Sequence, residues 1–375
     1  MNNVIPLFKV HMPSTVDKPL LEVLHSGFIG QGAQVEKFEE ELKAYFGNPR
    51  VLTLNSGTSG LHLALRLADV SQCDEVICTP MTCTASNMPV LALGAKVVWA
   101  DVNKITGLID PESIEEKITA KTKAIIVVHF GGRVCNLDRI NEIAKFHNIK
   151  VIEDAAHAFG SEYKNKKIGN HSDFVIFSLQ AIKHITTVDG GLLLCKSQAD
   201  YKRGKLLRWY GIDRDAPRKD FRCEENIMEF GYKFHMNDVC AVIGREQLKY
   251  VDSILEKHKK HASIFNKHLK GLVNIQLIPF EDEIQDPAFW LYTIHVRNRD
   301  SFISFMSERG VVVSRVHERN DIHAAFSSSA SILPGVDAFN GSQISIPVGW
   351  WLAESDVLNI IALVKEWDSV YAYSN

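Results

Sequence analysis

The chain has 375 residues, 46% of them hydrophobic and 23% charged, with 42 basic against 45 acidic side chains and a formal net charge of −3. That length accommodates a large core and two domains, while the near-neutral balance, with no basic stripe or polybasic tail, argues against nucleic acid or an anionic membrane as a partner. No apolar run reaches the roughly 18 residues of a membrane span, and Met1-Asn2-Asn3-Val4-Ile5-Pro6 has neither the basic nor the apolar part of a secretory signal, so a cytoplasmic protein is expected.

Apolar residues at Val35, Phe38, Leu42 and Phe46 have helical spacing, and 51–54 then reads as a strand. A helix is expected over 60–67. Further strands are expected at 75–78, 96–99, 124–128 and 150–152, separated by helices near 84–93, 111–118 and 137–147. Such alternation predicts an α/β fold with a mostly parallel sheet covered by helices on both faces. The run 192–195 looks like one more buried strand. A charged stretch within 205–232, containing Pro217, reads as a long excursion, and 237–269 as a long helical region. A strand at 290–296 and helices at 301–308 and 354–367 complete an α+β pattern. The expected division is a large domain over 1–240 and a smaller one over 241–375. The seven cysteines show no CxxC pair. Cys73, Cys78 and Cys83 recur every five residues, which fits neither a zinc site nor a disulfide framework. Reduced thiols and no metal are expected.

Four segments carry chemistry. Asn55-Ser56-Gly57-Thr58-Ser59-Gly60 joins a strand to a helix, where backbone amides make an anion site. A simple N-cap by Ser56 or Thr58 explains the segment equally well. Its two glycines fit neither the Walker A nor the GxGxxG spacing. Glu153-Asp154 ends an apolar strand, the end at which open α/β sheets bind ligands. Ser178 and Lys183 follow the next apolar run, and Asp189-Gly190-Gly191 reads as a tight turn beside the lysine. A lysine and an aspartate at strand ends suit a pyridoxal phosphate (PLP) enzyme: the amine bonds the cofactor aldehyde, and the carboxylate keeps the pyridine nitrogen protonated.

Together with Glu153 to Gly160, Gly231-Tyr232-Lys233 to Asn237, Val316-His317-Glu318-Arg319 and Ser345-Ile346-Pro347, these segments resemble the DegT/DnrJ/EryC1/StrS family of PLP-dependent sugar aminotransferases, over nearly the whole chain and in the same order. The resemblance implies the aspartate aminotransferase (type I) fold. It implies Lys183 as the Schiff-base lysine and proton shuttle and Asp154 as partner of the pyridine nitrogen. Gly57, Thr58, Ser59 and Ser178 would hold the phosphate, with His157 near the phenolic oxygen. Lys233 would reach the phosphate from the neighbouring subunit of a homodimer with shared active sites. Cys83 falls where the family usually stacks an aromatic side chain on the cofactor ring, and a thiol packs there more weakly.

The reaction so implied moves the amino group of L-glutamate to a nucleoside-diphosphate keto-sugar, taken as a 4-keto-6-deoxyhexose with a 3-keto sugar as alternative, in deoxyamino-sugar biosynthesis for lipopolysaccharide O-antigen, another surface glycan or a secondary metabolite. Trp209, Tyr210, Arg214, His317 and Arg319 are candidate substrate contacts, with ordinary surface charge as the other reading. A minority branch of the family has histidine in place of the lysine and dehydrates its substrate. Here Lys183 is present and His184 merely follows it, which favours transamination over a dehydratase or a non-catalytic sensor.

Overall fold

A computed structural model describes residues 4–217, 226–281, 283–329 and 331–372. Part of the expected excursion, 218–225, lies outside them.

Five parallel strands form most of one central sheet: β2 (Glu75–Cys78), β3 (Lys96–Trp99), β4 (Thr122–Val128), β5 (Lys150–Asp154) and β8 (Phe174–Ser178). β9 (Gly191–Cys195) runs antiparallel to β8 and to the edge strand β1 (Val51–Leu54), giving the order β1-β9-β8-β5-β4-β2-β3. Successive residues alternate between two cores. On β4, Ile125 and Val127 belong to one while Ala124 and Ile126 belong to the other. Both faces are therefore buried, which explains why these strands read as continuous apolar runs and not as alternating ones. Helices α2 (Ala33–Phe46) and α6 (Leu137–His147) cover one face, through Phe38, Leu42 and Ile140. Helices α3 (Gly57–Leu67) and α4 (Thr84–Ala92) cover the other, through Leu61, Leu63 and Val90. α5 (Pro111–Lys117) and α7 (Gln198–Leu207) complete the connections, and β6 (Glu162–Tyr163), β7 (Lys166–Lys167) and β11 (Gln285–Asp286) make a small separate sheet.

The expected single helical region at 237–269 is two helices, α8 (Asp238–Leu248) and α9 (Val251–Leu269). No glycine or proline marks the break at Lys249–Tyr250. α8 packs on α2 and on α1 (Asp17–His25), and Asp238 accepts the amides of Gly32, Gln34 and Val35 at the start of α2. α9 instead joins α10 (Arg299–Glu308) and α12 (Glu354–Ala372) around the antiparallel sheet of β10 (Ile275–Leu277), β12 (Tyr292–Val296) and β13 (Gln343–Ile346), with Phe265, Tyr292, Phe302 and Trp367 in the core between them. α11 (Pro334–Ser342) leads into β13. We propose that the two parts, 1–240 and 241–375, are joined through α8. The N-terminal segment crosses between them: Ile5 bridges to Val311, and Pro6 accepts from Trp351 Nε1 at 3.1 Å. Among the described residues no helix is long and apolar enough to cross a membrane.

Candidate active site

The strand ends converge. Register places Asp154 of β5 beside Val128 of β4 and Ile176 of β8, and Gly191 of β9 opposite both Ser178 and Leu54. The turn after β1 and the loop after β8 thus open at the same sheet edge as Asp154. A cavity of about 350 Å³ lies there, lined by Gly57, Thr58, Cys83, Asp154, His157, Ser178, Lys183 and His317, among others. Its size is at the lower end of small-ligand pockets, roughly 300–1,000 Å³.

Glycines permit this convergence through space, not through unusual backbone angles. Gly57 has no left-handed φ, and a Cβ there would lie 3.2 Å from Ser178 Cβ. A Cβ on Gly191 would lie 2.4 Å from the carbonyl carbon and oxygen of Ser56. The helix behind the turn starts at Gly57, three residues earlier than its apolar pattern suggests. Ser56 is its N-cap, and its hydroxyl accepts the Ser59 amide at 3.0 Å. Ser59 spends its own hydroxyl on Ser56 Oγ at 2.9 Å and does not line the cavity. The amides of Gly57 and Thr58 have no acceptor within the helix and face its N-terminal end. The cap and the anion cradle are therefore compatible, because they use different amides.

Asp154 is buried and held on both oxygens: Ser86 Oγ donates to Oδ2 at 2.6 Å, and the Ala156 amide to Oδ1 at 3.1 Å. Thr82 Oγ1 pairs with the same serine at 2.7 Å. Behind it on the other face, Glu153 accepts from buried His129 at 2.9 Å. Burial alone would lower the His129 pKa, but its bonds to Cys135 and Glu153 outweigh that and raise it to about 10.

Lys183 is partly buried; its backbone amide donates to Gln180 O at 3.0 Å, while its side-chain amine makes no hydrogen bond or ion pair among the described residues. Its Nζ sits 3.7 Å from the ring centre of Trp290. Burial lowers its pKa to about 8, against the attraction of Asp154 and Cys83. His157 stacks on Trp290 at 3.9 Å and lies 5.5 Å from the ring of His317. Burial holds His157 well below the usual histidine range and His317 near 4, with Lys183 adding to both effects. The Gly131 amide donates to His157 Nδ1 at 3.3 Å, so the neutral ring keeps its proton on Nε2. His184 turns away from the cavity, and its Nε2 donates to Ala288 O at 3.1 Å.

The other candidates lie elsewhere on this chain. Lys233 is exposed, and its backbone bridges to Trp209. Trp209 packs against His235 at 3.5 Å, and Arg214 stacks on it at 4.3 Å. Tyr210 is exposed nearby. Arg319 is shared between Asp321, at 2.5 Å, and Asp337. Neighbouring Arg208 is buried and paired with Glu39 at 2.5 Å. Sequence reasoning missed Trp290, Thr82 and Ser86. Only Ser86 carried a local signal, as a hydroxyl near the start of a helix that faces the strand ends.

The donor set fits PLP: an unpaired amine, a fixed carboxylate, and a helix N-terminus flanked by hydroxyls on one cavity wall. The model of the DegT/DnrJ/EryC1/StrS aminotransferase family matches residues 12–365, and aminotransferases of that family are PLP-dependent. Over 383 residues, covering 97% of this chain and 98% of the relative, the chain is 30% identical to the UDP-4-amino-4-deoxy-L-arabinose–oxoglutarate aminotransferase of Shewanella sediminis. Over 254 residues, 67% of this chain and 66% of the relative, it is 37% identical to the UDP-4-amino-4,6-dideoxy-N-acetyl-beta-L-altrosamine transaminase of Campylobacter jejuni. The crystal structure of the sugar aminotransferase CalS13 from Micromonospora echinospora superposes with a TM-score of 0.93 at 35% identity, covering 96% of this chain and 99% of that one.

Proposed function

The chain belongs to the DegT/DnrJ/EryC1/StrS aminotransferase family, and from that premise we propose that it moves the amino group of L-glutamate to a nucleoside-diphosphate keto-sugar. The observation that carries the reading is the single cavity whose wall bears the Lys183 amine, the Asp154 carboxylate and the N-terminus of α3. Bound PLP supplies an aldehyde for the amine and a protonated ring that withdraws electrons from the reacting carbon.

Lys183, with its pKa near 8, is neutral in roughly one molecule in ten at pH 7, enough for nucleophilic attack and for carrying a proton afterwards. Asp154, held by Ser86 and Ala156, would keep the ring nitrogen of a bound PLP protonated. The amides of Gly57 and Thr58 and the Ser178 hydroxyl would hold its phosphate. His157, its proton on Nε2, would donate to the phenolic oxygen, and Cys83 would pack on the ring. His317, whose Nε2 has no partner among the described residues, is available to a substrate in the same cavity.

The homodimer reading is supported by exposed Lys233 and by apolar Phe28 and Ile29 on the surface, beside a cleft lined by residues of α1, α2 and α8. In such a dimer Lys233 reaches the partner's phosphate site, and Trp209, Tyr210 and Arg214 travel with it towards the sugar nucleotide. Arg319 is assigned no substrate contact, because two carboxylates already share its guanidinium. The names of the two relatives both place the amine at C4, which supports a 4-keto sugar, and the second supports a 6-deoxyhexose. The product would enter deoxyamino-sugar biosynthesis in the cytoplasm, for a surface glycan such as an O-antigen. His184 faces Ala288, so nothing favours the dehydratase reading.

The test is incubation with L-glutamate and a panel of UDP-, dTDP- and GDP-linked keto-sugars, read by mass. Conversion of a 4-keto-6-deoxyhexose to its amine is expected, and Lys183→Ala should abolish it while the protein still folds. Turnover retained in Lys183→Ala would refute the assignment, and conversion of 3-keto sugars alone would move the reaction to C3.

A further inference from the structure

Trp290 is 107 residues from Lys183 in sequence (290 − 183) yet supplies the ring next to its amine. The same indole stacks on His157 at 3.9 Å and on Phe8 of the N-terminal segment at 4.9 Å, and its Nε1 donates to Ile182 O at 2.9 Å. Two buried histidines hold the backbone just before it. His184 Nε2 donates to Ala288 O at 3.1 Å, and His258 Nδ1, from α9, donates to Phe289 O at 2.9 Å. A carbonyl can only accept, so these bonds fix the tautomers, with the proton of His184 on Nε2 and that of His258 on Nδ1. The two rings lie 4.8 Å apart. Burial keeps both neutral, lowering His258 to about 4 and His184 well below the usual range. Two consecutive carbonyls are thus gripped from two sides. One grip is the neighbour of Lys183 in sequence; the other comes from a helix of the C-terminal core.

We propose that Trp290 is a positioning residue for Lys183, the wall that keeps water from its amine, and that His184 and His258 hold that wall in place. The inference rests on the reading of Lys183 as the reactive amine. Two effects of the wall oppose each other. The ring face attracts an ammonium, which favours the charged form. Exclusion of water favours the neutral form. Burial is the largest influence at Lys183 and prevails over both Asp154 and Cys83. The remaining titratable groups that face the amine, His157 and His317, are held neutral by burial, as is His184, which follows Lys183 in the chain but points away. Exclusion of water therefore dominates, and removing the wall moves the amine back towards a solvated lysine.

The test uses the full chain freed of cofactor and acetylated across neutral to alkaline pH, with the Lys183 peptide followed by mass spectrometry. The wild-type midpoint should lie near 8. In Trp290→Leu and His258→Leu it should rise by about one unit, with PLP capture at pH 7 slowed about tenfold, since one unit is a tenfold change in neutral amine. In Trp290→Phe the ring remains, in His258→Asn an amide nitrogen stands where Nδ1 stood, and in His184→Gln one stands where Nε2 stood. These three should keep the midpoint within about 0.3 unit. A wild-type midpoint in Trp290→Leu, or equal shifts in His258→Leu and His258→Asn, would overturn the proposal. Should His258→Leu not fold, His184→Leu against His184→Gln makes the same comparison. PLP trapped by borohydride on another lysine would instead overturn the proposed function and leave the labelling result standing for Trp290.

Discussion

Acid should destabilise this protein through histidines it buries in the neutral form, and His258 makes the effect measurable. The ring is buried, donates to Phe289 O and has a pKa lowered to about 4 by burial, from an unfolded value near 6.5. A depressed folded pKa means the unfolded chain binds the extra proton first. The contribution is intact above pH 6.5 and is lost as pH falls from there towards 4. Between pH 7 and 5.5 the unfolded chain gains most of one proton at this site while the folded chain gains almost none, which costs about 1.2 kcal/mol. His317 adds a similar loss, and His157 and His184 act in the same direction. His129 opposes them, because its raised pKa favours the folded state as the unfolded chain approaches protonation. His258→Asn isolates one contribution: it keeps a donor towards Phe289 O and cannot titrate. Urea unfolding of the holoenzyme at pH 7 and pH 5.5 should show the variant losing about 1.2 kcal/mol less than wild type between the two. Equal losses would mean that His258 is not held neutral in the folded chain.

Three further outcomes follow from the cavity. Cys83→Phe should tighten PLP by roughly three- to tenfold, the value of an added aromatic stack, read by fluorescence titration; weaker binding would show that the wall at Cys83 has no room for a ring. Ser86→Ala removes a 2.6 Å bond to a buried carboxylate and should cost about 1.5–3 kcal/mol in stability at pH 7, measured by urea melts, while Ser86→Thr should retain most of it. Gly191→Ala would press a methyl 2.4 Å from the Ser56 carbonyl, a contact with backbone that cannot swing away, and should lower the thermal midpoint and PLP affinity together. Gly341→Ala, where a Cβ meets nothing within 4 Å, should leave both unchanged.

What the sequence revealed about the site was what the chain holds locally. Asp154, Ser178 and the turn at Gly57 each sit where an apolar run ends, and parallel strands bring such ends to one edge. Their meeting could be foreseen from the strand pattern alone. Trp290 could not. It stands two residues before a strand of another sheet, and only the packing of α9 and the crossing of the N-terminal segment carry it to Lys183. The break between α8 and α9 was hidden for a related reason: Tyr250 has no intrinsic aversion to helix, and the chain turns there because α8 must follow α2 while α9 enters the C-terminal core.

Charge was the least legible feature, because its meaning depends on partners that composition cannot supply. Arg208, Arg214 and Arg319 are chemically alike in the sequence, and any could greet a sugar nucleotide. In the folded chain Arg208 is spent on Glu39 and the Thr53 carbonyl, fixing the end of α7 against β1. Arg319 is spent on Asp321 and Asp337. Lys183 is the opposite case, a cation with an aromatic face and no ion pair among the described residues. A cation shared between carboxylates offers little to a ligand, whereas one held away from a counter-charge by burial is disfavoured in its charged form. That difference in partners, more than the presence of a lysine, is what supports the proposal of Lys183 as the reactive group.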